Sequence, residues 1–142
     1  MNTNGQPIAR ELVIPSDLAA ARQIQVEIEE ALQAVQFAET DIFSIKMAVE
    51  EALVNAIKHG NQMDPEKNVR VVYVAHTERF DIRITDQGSG FNPADVPDPT
   101  DPENLERPCG RGLLLIRYYM TEVSFEDHGT TIAMYKLRKV SS

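Results

Sequence analysis

The chain has 142 residues, of which 42% are hydrophobic and 25% charged, and this is the size and composition of one globular domain. No apolar run approaches the roughly 18 residues of a membrane-spanning helix, and a net charge of −8 argues against a general affinity for nucleic acid or anionic membranes. The N-terminus lacks a secretion-signal pattern, and the single cysteine, Cys109, has no partner for an internal disulfide. We therefore expect a single cytoplasmic domain over residues 1–142.

The first part of the chain predicts a strand followed by a helix. Residues 8–14 alternate loosely in polarity and stop at Pro15, which is typical of a short strand. Over residues 18–35 the apolar side chains recur at the spacing of one buried helical stripe. Ser16 or Asp17 is the expected N-cap of this helix, since both side chains can accept a backbone hydrogen bond.

A second helix carries two polar residues within an apolar pattern. It is expected to begin with Thr40 or Asp41 as its N-cap and to end near Gly60, in the left-handed backbone conformation of a helix C-cap. With about 3.6 residues per turn, Glu51 and Asn55 lie about 40° apart on one face of this helix. A solvated polar stripe is the ordinary explanation of such a pair.

The alternative explanation of the pair is chemical. The side-chain oxygen of Asn55 suits Mg²⁺, which prefers oxygen ligands and keeps phosphates and waters as the others. The carboxylate of Glu51, one turn away, can accept a proton as a general base. Glu50 is excluded from this role because it lies about 140° from Asn55. His59, at the end of the same helix, is a candidate phosphate contact or a helix C-terminal cap.

The rest of the chain predicts four more strands, one helix and one long loop. The strands are expected over residues 69–76, 80–86, 122–126 and 130–137. Between the two pairs lie an acidic stretch at 92–108, with five of the chain's eight prolines, and an apolar helix at 113–120. A loop of this length in a small domain is usually functional, and we interpret it as a lid. This order of elements predicts an α+β fold, with a mostly antiparallel sheet covered by helices on one face.

The second of these strands ends in the sequence DQGSG, residues 86–90. A carboxylate at a strand end, here Asp86, can accept a hydrogen bond from an exocyclic amine such as that of adenine. Gly88 and Gly90 would let the backbone approach a flat base, since neither has a Cβ atom. A strand that ends in a glycine-rich turn is common, so an ordinary turn remains the alternative.

A second glycine-rich sequence, Gly110-Arg111-Gly112, directly precedes the helix expected at 113–120. Free N–H groups at a helix N-terminus bind phosphate oxygens, helped by the helix dipole. Arg111 or Arg107 would add a charge-assisted hydrogen bond to a terminal phosphate. Thr131, at the start of the last strand, is either part of an ordinary turn or a hydroxyl donor to an adenine pocket.

Taken together and in this order, the motifs resemble those of GHKL-type ATPase domains, the superfamily of gyrase, heat-shock chaperone, histidine-kinase and mismatch-repair ATPases. The resemblance is strongest to the small bacterial anti-sigma-factor serine/threonine kinases. EALVNAIKHG at 51–60 matches the N box of that family, DQGSGF at 86–91 its first glycine box and GRGL at 110–113 its second. GTTIAM at 129–134 also fits, so the resemblance covers nearly the whole chain.

The resemblance implies a two-layer α/β sandwich with the histidine-kinase-like ATPase fold, which binds ATP and Mg²⁺ under a mobile lid. It implies that Glu51 is the general base, Asn55 the Mg²⁺ ligand and Asp86 the acceptor for the adenine amine. The glycines implied to surround base and phosphates are Gly88, Gly90, Gly110 and Gly112. Two departures concern the lid and the partner: Leu114 stands where histidine kinases often have a third glycine, and the proline-rich acidic lid is unusual.

The function implied is that of an ATP-dependent serine/threonine kinase that phosphorylates an anti-sigma-factor antagonist and also sequesters a sigma factor, as a dimer. Two alternatives stay open. The chain can be a binding module that holds its partner in response to ATP without phosphoryl transfer. It can also be the detached ATP domain of a histidine kinase, which we expect less because no helix pair with a phospho-accepting histidine precedes it.

Overall fold

The computed structural model describes residues 6–88 and 108–139, and within them five strands form one sheet. The strands are β1 (Ile8–Pro15), β2 (Asn68–Ala75), β3 (Arg79–Thr85), β4 (Glu122–Glu126) and β5 (Thr131–Leu137). Their order across the sheet is β1-β2-β3-β5-β4, and all four neighbouring pairs are antiparallel. The prediction of an α+β fold is confirmed, and the sheet in this part of the chain is wholly antiparallel.

Helices cover one face of the sheet and enclose the core. They are α1 (Leu18–Ala34), α2 (Glu39–Val54), a π-helix (Asn55–Gly60) that continues α2, and α3 (Pro108–Tyr119). Burial alternates along β2 and β3, so every second side chain of these strands faces the helices. The largest fully buried side chains come from both layers and include Ile28, Leu32, Ile45, Leu53, Tyr73, Phe80 and Ile82. This packing fixes the end of α2 over the sheet.

The N-termini of α1 and α2 differ in how they are capped. The carboxylate of Asp17 accepts the N–H of Ala19 at 2.9 Å, so the predicted cap of α1 is confirmed. The predicted cap of α2, Thr40 or Asp41, is wrong, because this helix starts at Glu39 without a side-chain cap. Asp41 is buried inside the helix, and its carboxylate accepts the backbone N–H of Lys139 at 3.1 Å. That carboxylate therefore anchors the residues after β5 to α2.

The second helix ends in a wider turn than the sequence predicts. From Asn55 onward it is a π-helix, and the backbone N–H of Asn61 bonds to a carbonyl five residues earlier at 2.8 Å. The left-handed conformation expected at Gly60 is wrong. Positive φ angles occur instead at Gln62 and Met63, which have φ values of 53° and 59°. Gly60 therefore does not act as a left-handed C-cap.

The start of α3 also differs from the prediction. We expected the glycine-rich sequence to precede the helix, but the helix begins at Pro108, so Gly110, Arg111 and Gly112 lie within its first turns. Proline suits the first position of a helix because its missing N–H would have no partner there. The last two strands are joined by a short 3-10 helix, Asp127–Gly129, with positive φ at all three residues.

The stretch interpreted as a lid, up to residue 107, lies outside the described residues. Among the helices that are described, none has both the length and the apolar character needed to cross a membrane.

Candidate active site

Glu51 and Asn55 face α3 from the end of α2. A Cβ atom placed on Gly112 would lie 3.0 Å from Oε2 of Glu51 and 3.1 Å from the amide nitrogen of Asn55. Glu50, by contrast, is exposed. Within residues 6–88 and 108–139, no hydrogen bond or ion pair holds the side chain of Glu51 or Asn55. The structure thus brings together one residue pair and one glycine from two separate sequence motifs.

Asp86 forms a second corner of the site, at the end of β3. A Cβ atom on Gly60 would lie 2.7 Å from Oδ1 of Asp86 and closer still to its Cγ, so only glycine fits at residue 60. Oδ1 accepts the backbone N–H of Gly88 at 2.8 Å. Burial raises the pKa of Asp86, and the bond from Gly88 and the charge of Lys67 oppose this effect only in part. The carboxylate is therefore partly desolvated and retains Oδ2 as an acceptor.

Gly88 brings the backbone of the Asp86 turn against the π-helix. A Cβ atom on Gly88 would meet the carbonyl carbon of Gly60 at 2.8 Å. Both glycines are needed for close approach, one to a carboxylate and the other to a carbonyl group. The end of the 51–60 motif and the start of the 86–91 motif are thus in direct contact, which places Asp86 at one end of the π-helix and Asn55 at the other.

Thr131 lies beside this corner and is 3% exposed. It pairs with Thr85 across the sheet, and the two hydroxyl oxygens are 2.8 Å apart. The hydroxyl of Thr131 also donates to the carboxylate of Asp127 at 3.2 Å. The backbone N–H of Asp86 donates to the carbonyl of Thr130 at 2.9 Å, which fixes the last hairpin next to Asp86.

The remaining candidate residues lie on the π-helix, in α3 or outside the described residues. His59 lies on the π-helix with an exposed side chain. Gly110 and Arg111 belong to the first turns of α3. Gly90 and Arg107 lie outside the described residues, as does the side chain of Arg111.

Sequence reasoning missed Asn61, a fully buried asparagine that follows Gly60. Its side chain makes hydrogen bonds to three separate segments, including the turn that contains Asp86. The one available signal was its position directly after the 51–60 motif, and nothing local indicates that this amide is buried.

The donor atoms present fit a magnesium nucleotide. Mg²⁺ prefers oxygen ligands and commonly takes one or two from protein, the others from phosphates and waters. Asn55 provides an amide oxygen close to the first turns of α3, and the free carboxylate oxygen of Asp86 suits an amine. No group of three or more His, Cys, Asp or Glu side chains arranged to hold a metal occurs in the described part of the chain.

Comparison with known proteins identifies the family of this chain. The family model for the histidine kinase-like ATPase domain matches residues 14–136, which is most of the chain. The chain belongs to this family. A histidine kinase-like ATPase domain thus accounts for both the α+β fold and the order of the three motifs.

Among curated proteins, the chain is similar to serine-protein kinases named RsbW. It is 26% identical over 133 residues to RsbW of Bacillus mycoides, a match that covers 89% of this chain and 82% of the relative. It is 29% identical over 137 residues to RsbW of Staphylococcus epidermidis, with 91% and 86% covered. The protein of the same name from Bacillus licheniformis is 33% identical over 103 residues, with 68% and 64% covered.

A solved structure shares the fold of this histidine kinase-like ATPase domain. It contains the RsbU and RsbW domains of a Mycobacterium tuberculosis protein and matches with a TM-score of 0.64 at 16% identity. The match covers 93% of this chain and 32% of that one, so the chain spans about a third of the larger protein.

Proposed function

We propose that this chain is a single ATP-binding domain, over residues 1–142, that acts as a serine/threonine kinase on an anti-sigma-factor antagonist protein and also binds a sigma factor. The family match and the serine-protein kinases among the relatives support the activity. The observation that carries the proposal is the convergence of Glu51 and Asn55 on Gly112. The partners are proposed from the resemblance to anti-sigma-factor kinases, and with them a cytoplasmic signalling role and a homodimer.

In this proposal the adenine end of the nucleotide lies at Asp86. The carboxylate accepts a hydrogen bond from the exocyclic amine, and the close contact between Gly60 and Gly88 holds the backbone beside it. Thr131 supports this end through its bonds to neighbouring residues. Gly90 is assigned to the adenine end from the family resemblance alone. The phosphates extend toward the first turns of α3, where Gly110, Arg111 and Gly112 lie. His59 is a further phosphate contact.

The chemical step uses Glu51 as its base. Glu51 accepts the proton of a serine or threonine hydroxyl as the hydroxyl oxygen bonds to the terminal phosphorus of ATP. The bond from that phosphorus to the bridging oxygen breaks, and ADP leaves with the electron pair. Asn55 would hold Mg²⁺, which neutralises charge on the phosphate oxygens when bound. Within the described residues, the side chain of Glu51 has no hydrogen-bond partner.

The test is capture of partners from the source cell on immobilised protein, with and without ATP and Mg²⁺, followed by mapping of phosphorylated residues. We expect a retained protein that gains acid-stable phosphoserine or phosphothreonine only when ATP is present. The Glu51→Ala variant should retain the same protein without modifying it.

Other outcomes would overturn the proposal in distinguishable ways. Partner retention that depends on ATP but yields no phosphorylated residue would indicate a binding module. An acid-labile phosphohistidine on the partner would indicate a histidine-kinase ATP domain. Transfer at the full rate by Glu51→Ala would contradict the assignment of the base.

A further inference from the structure

Asn61 connects the π-helix to the turn that contains Asp86. Its side-chain oxygen accepts the backbone N–H of Gln87 at 2.7 Å. Its amide nitrogen donates to the hydroxyl of Ser16 at 3.0 Å and to the carbonyl of Asn68 at 2.9 Å. An asparagine amide has two N–H donors, so both are used. With an exposure of 0%, this side chain has exchanged water entirely for these three partners.

The bonds run between parts of the chain that are far apart in sequence. Ser16 lies between β1 and α1, and its hydroxyl donates onward to the carbonyl of Lys67 at 2.8 Å. Asn68 opens β2, and its backbone N–H donates to the side-chain oxygen of Gln87 at 2.6 Å. Asn61 thus lies where three loops at the same end of the sheet meet the π-helix.

The bond to Gln87 is the one that concerns the nucleotide. Gln87 directly follows Asp86, and Gly88, whose N–H bonds to the Asp86 carboxylate, comes next. On the other side, Asn61 directly follows Gly60, which contacts the same carboxylate. Asn61 therefore links the two backbone segments that contact this carboxylate, which are Gly60 at the end of the π-helix and Gly88 after β3. A buried, fully paired polar network of this kind rigidifies the groups that it joins.

From this geometry we infer that Asn61 is a positioning residue for adenine recognition, because its bond to Gln87 fixes the Asp86 carboxylate in the direction of the exocyclic amine. The inference rests on the proposed function, in which Asp86 reads that amine. Nothing in the role requires Asn61 to touch the nucleotide. Its effect should therefore appear as selectivity between bases rather than as a general loss of binding.

The experiment compares the affinities for ADP and for inosine diphosphate, which has a carbonyl group where adenine has the amine. The wild type should prefer ADP by about tenfold or more, the value of a hydrogen bond to a charged acceptor. In Asn61→Leu, which has the same branched shape and none of the three bonds, this preference should fall to about twofold. Asp86→Asn should lose it as well, because the amide presents an N–H as well as an oxygen to the base.

Ser16→Ala is the matched control. It removes one bond of the same buried network, together with the bond to Lys67, but leaves the link from Asn61 to Gln87 in place. It should lower thermal stability and leave the preference for ADP unchanged. A role of Asn61 in folding alone would instead make both variants lose stability and both keep the preference.

A second pair of variants serves if Asn61→Leu does not fold. Both variants remove the Gln87 side chain. Gln87→Pro also removes the backbone N–H that donates to Asn61, while the other two hydrogen bonds of Asn61 remain, and Gln87→Ala keeps that N–H. The proline variant should lose the preference for ADP and the alanine variant should retain it. Retention of the preference by a folded Asn61→Leu or Gln87→Pro would overturn the inference and leave the proposed function standing. A wild type that binds neither nucleotide would overturn both.

Discussion

At the Asp86 end of the site the polar side chains are packed and hydrogen-bonded. At the other end, Glu51 and Asn55 face α3, and their side chains have no hydrogen-bond partner among the described residues. Asn61 and Thr131 are buried at the first end, and glycine backbones touch there. The difference matches the proposed division of roles. A base-recognition site benefits from fixed geometry, while a general base must be free to accept a proton.

The largest effect should come from removing the base at the Glu51 end. We expect Glu51→Ala to lower the rate of phosphoryl transfer by about 10²- to 10⁴-fold, the usual contribution of a positioned general base. Glu50→Ala is the control, since Glu50 is the exposed neighbour on another face of α2. Transfer of labelled phosphate from ATP to the captured partner measures both. Equal losses in the two variants would contradict the assignment of the base to Glu51 rather than Glu50.

The two glycines that contact site side chains should respond differently to alanine. At Gly60 the new Cβ would meet the Asp86 carboxylate, which the Gly88 N–H holds in place, so we expect a loss of about 1–3 kcal/mol in the free energy of unfolding. At Gly112 its nearest neighbours would be the ends of Glu51 and Asn55, which can move. Gly112→Ala should keep its stability, or gain up to about 1 kcal/mol from helix propensity.

Urea unfolding of the two alanine variants measures the difference. A loss at Gly112 as large as that at Gly60 would mean that the Glu51 end is as tightly packed as the Asp86 end. That result would contradict a difference in packing between the two ends of the site.

The stability of Asp86→Asn should depend on pH in a defined direction. Because burial raises the pKa of Asp86, the ionised carboxylate costs free energy of folding at pH values above the raised pKa, and this cost disappears as the pH falls through it. Asparagine carries no such cost and can still accept the Gly88 N–H. At neutral pH the variant should therefore be at least as stable as the wild type, and this advantage should shrink on acidification. Thermal unfolding at several pH values tests this, and an advantage that grows in acid would contradict it.

The smallest effect concerns the pH dependence of binding by the wild type. The ionised carboxylate is the better acceptor for the adenine amine, so ADP affinity should fall as the pH drops through the raised pKa of Asp86. Asp81→Asn, a substitution on the same strand away from the site, should follow the wild-type profile. Titrations of ADP from neutral pH down to the ordinary range of an aspartate pKa provide the measurement, and a flat profile would argue against Asp86 as the acceptor.

The sequence predicted the fold class, the order of the described elements and the pairing of Glu51 with Asn55, because these depend on periodicity and local motifs. It failed where a side chain acts over long sequence distances. Asp41 looked like a helix cap, but its carboxylate binds a backbone N–H 98 residues away. The sequence indicated no role for Asn61, although it bonds to residues 45 and 26 positions away.

Gly60 shows how a correct residue can be assigned for an incorrect reason. A glycine at a helix end is typical of a left-handed C-cap, and the sequence offers no means to distinguish that need from a need for space. The structure shows the need for space, since the Asp86 carboxylate occupies the place of a side chain. The partner of Gly60 is 26 residues away, and its proximity follows only from the fold.

The most direct test of separate roles for Asp86 and Glu51 is a titration of ADP with Mg²⁺ into the wild type, Asp86→Asn and Glu51→Ala under identical conditions. We expect Glu51→Ala to bind within about twofold of the wild type and Asp86→Asn to bind about 10- to 100-fold more weakly. Equal weakening in both variants, or unchanged affinity in Asp86→Asn, would contradict the separation of base recognition from proton transfer.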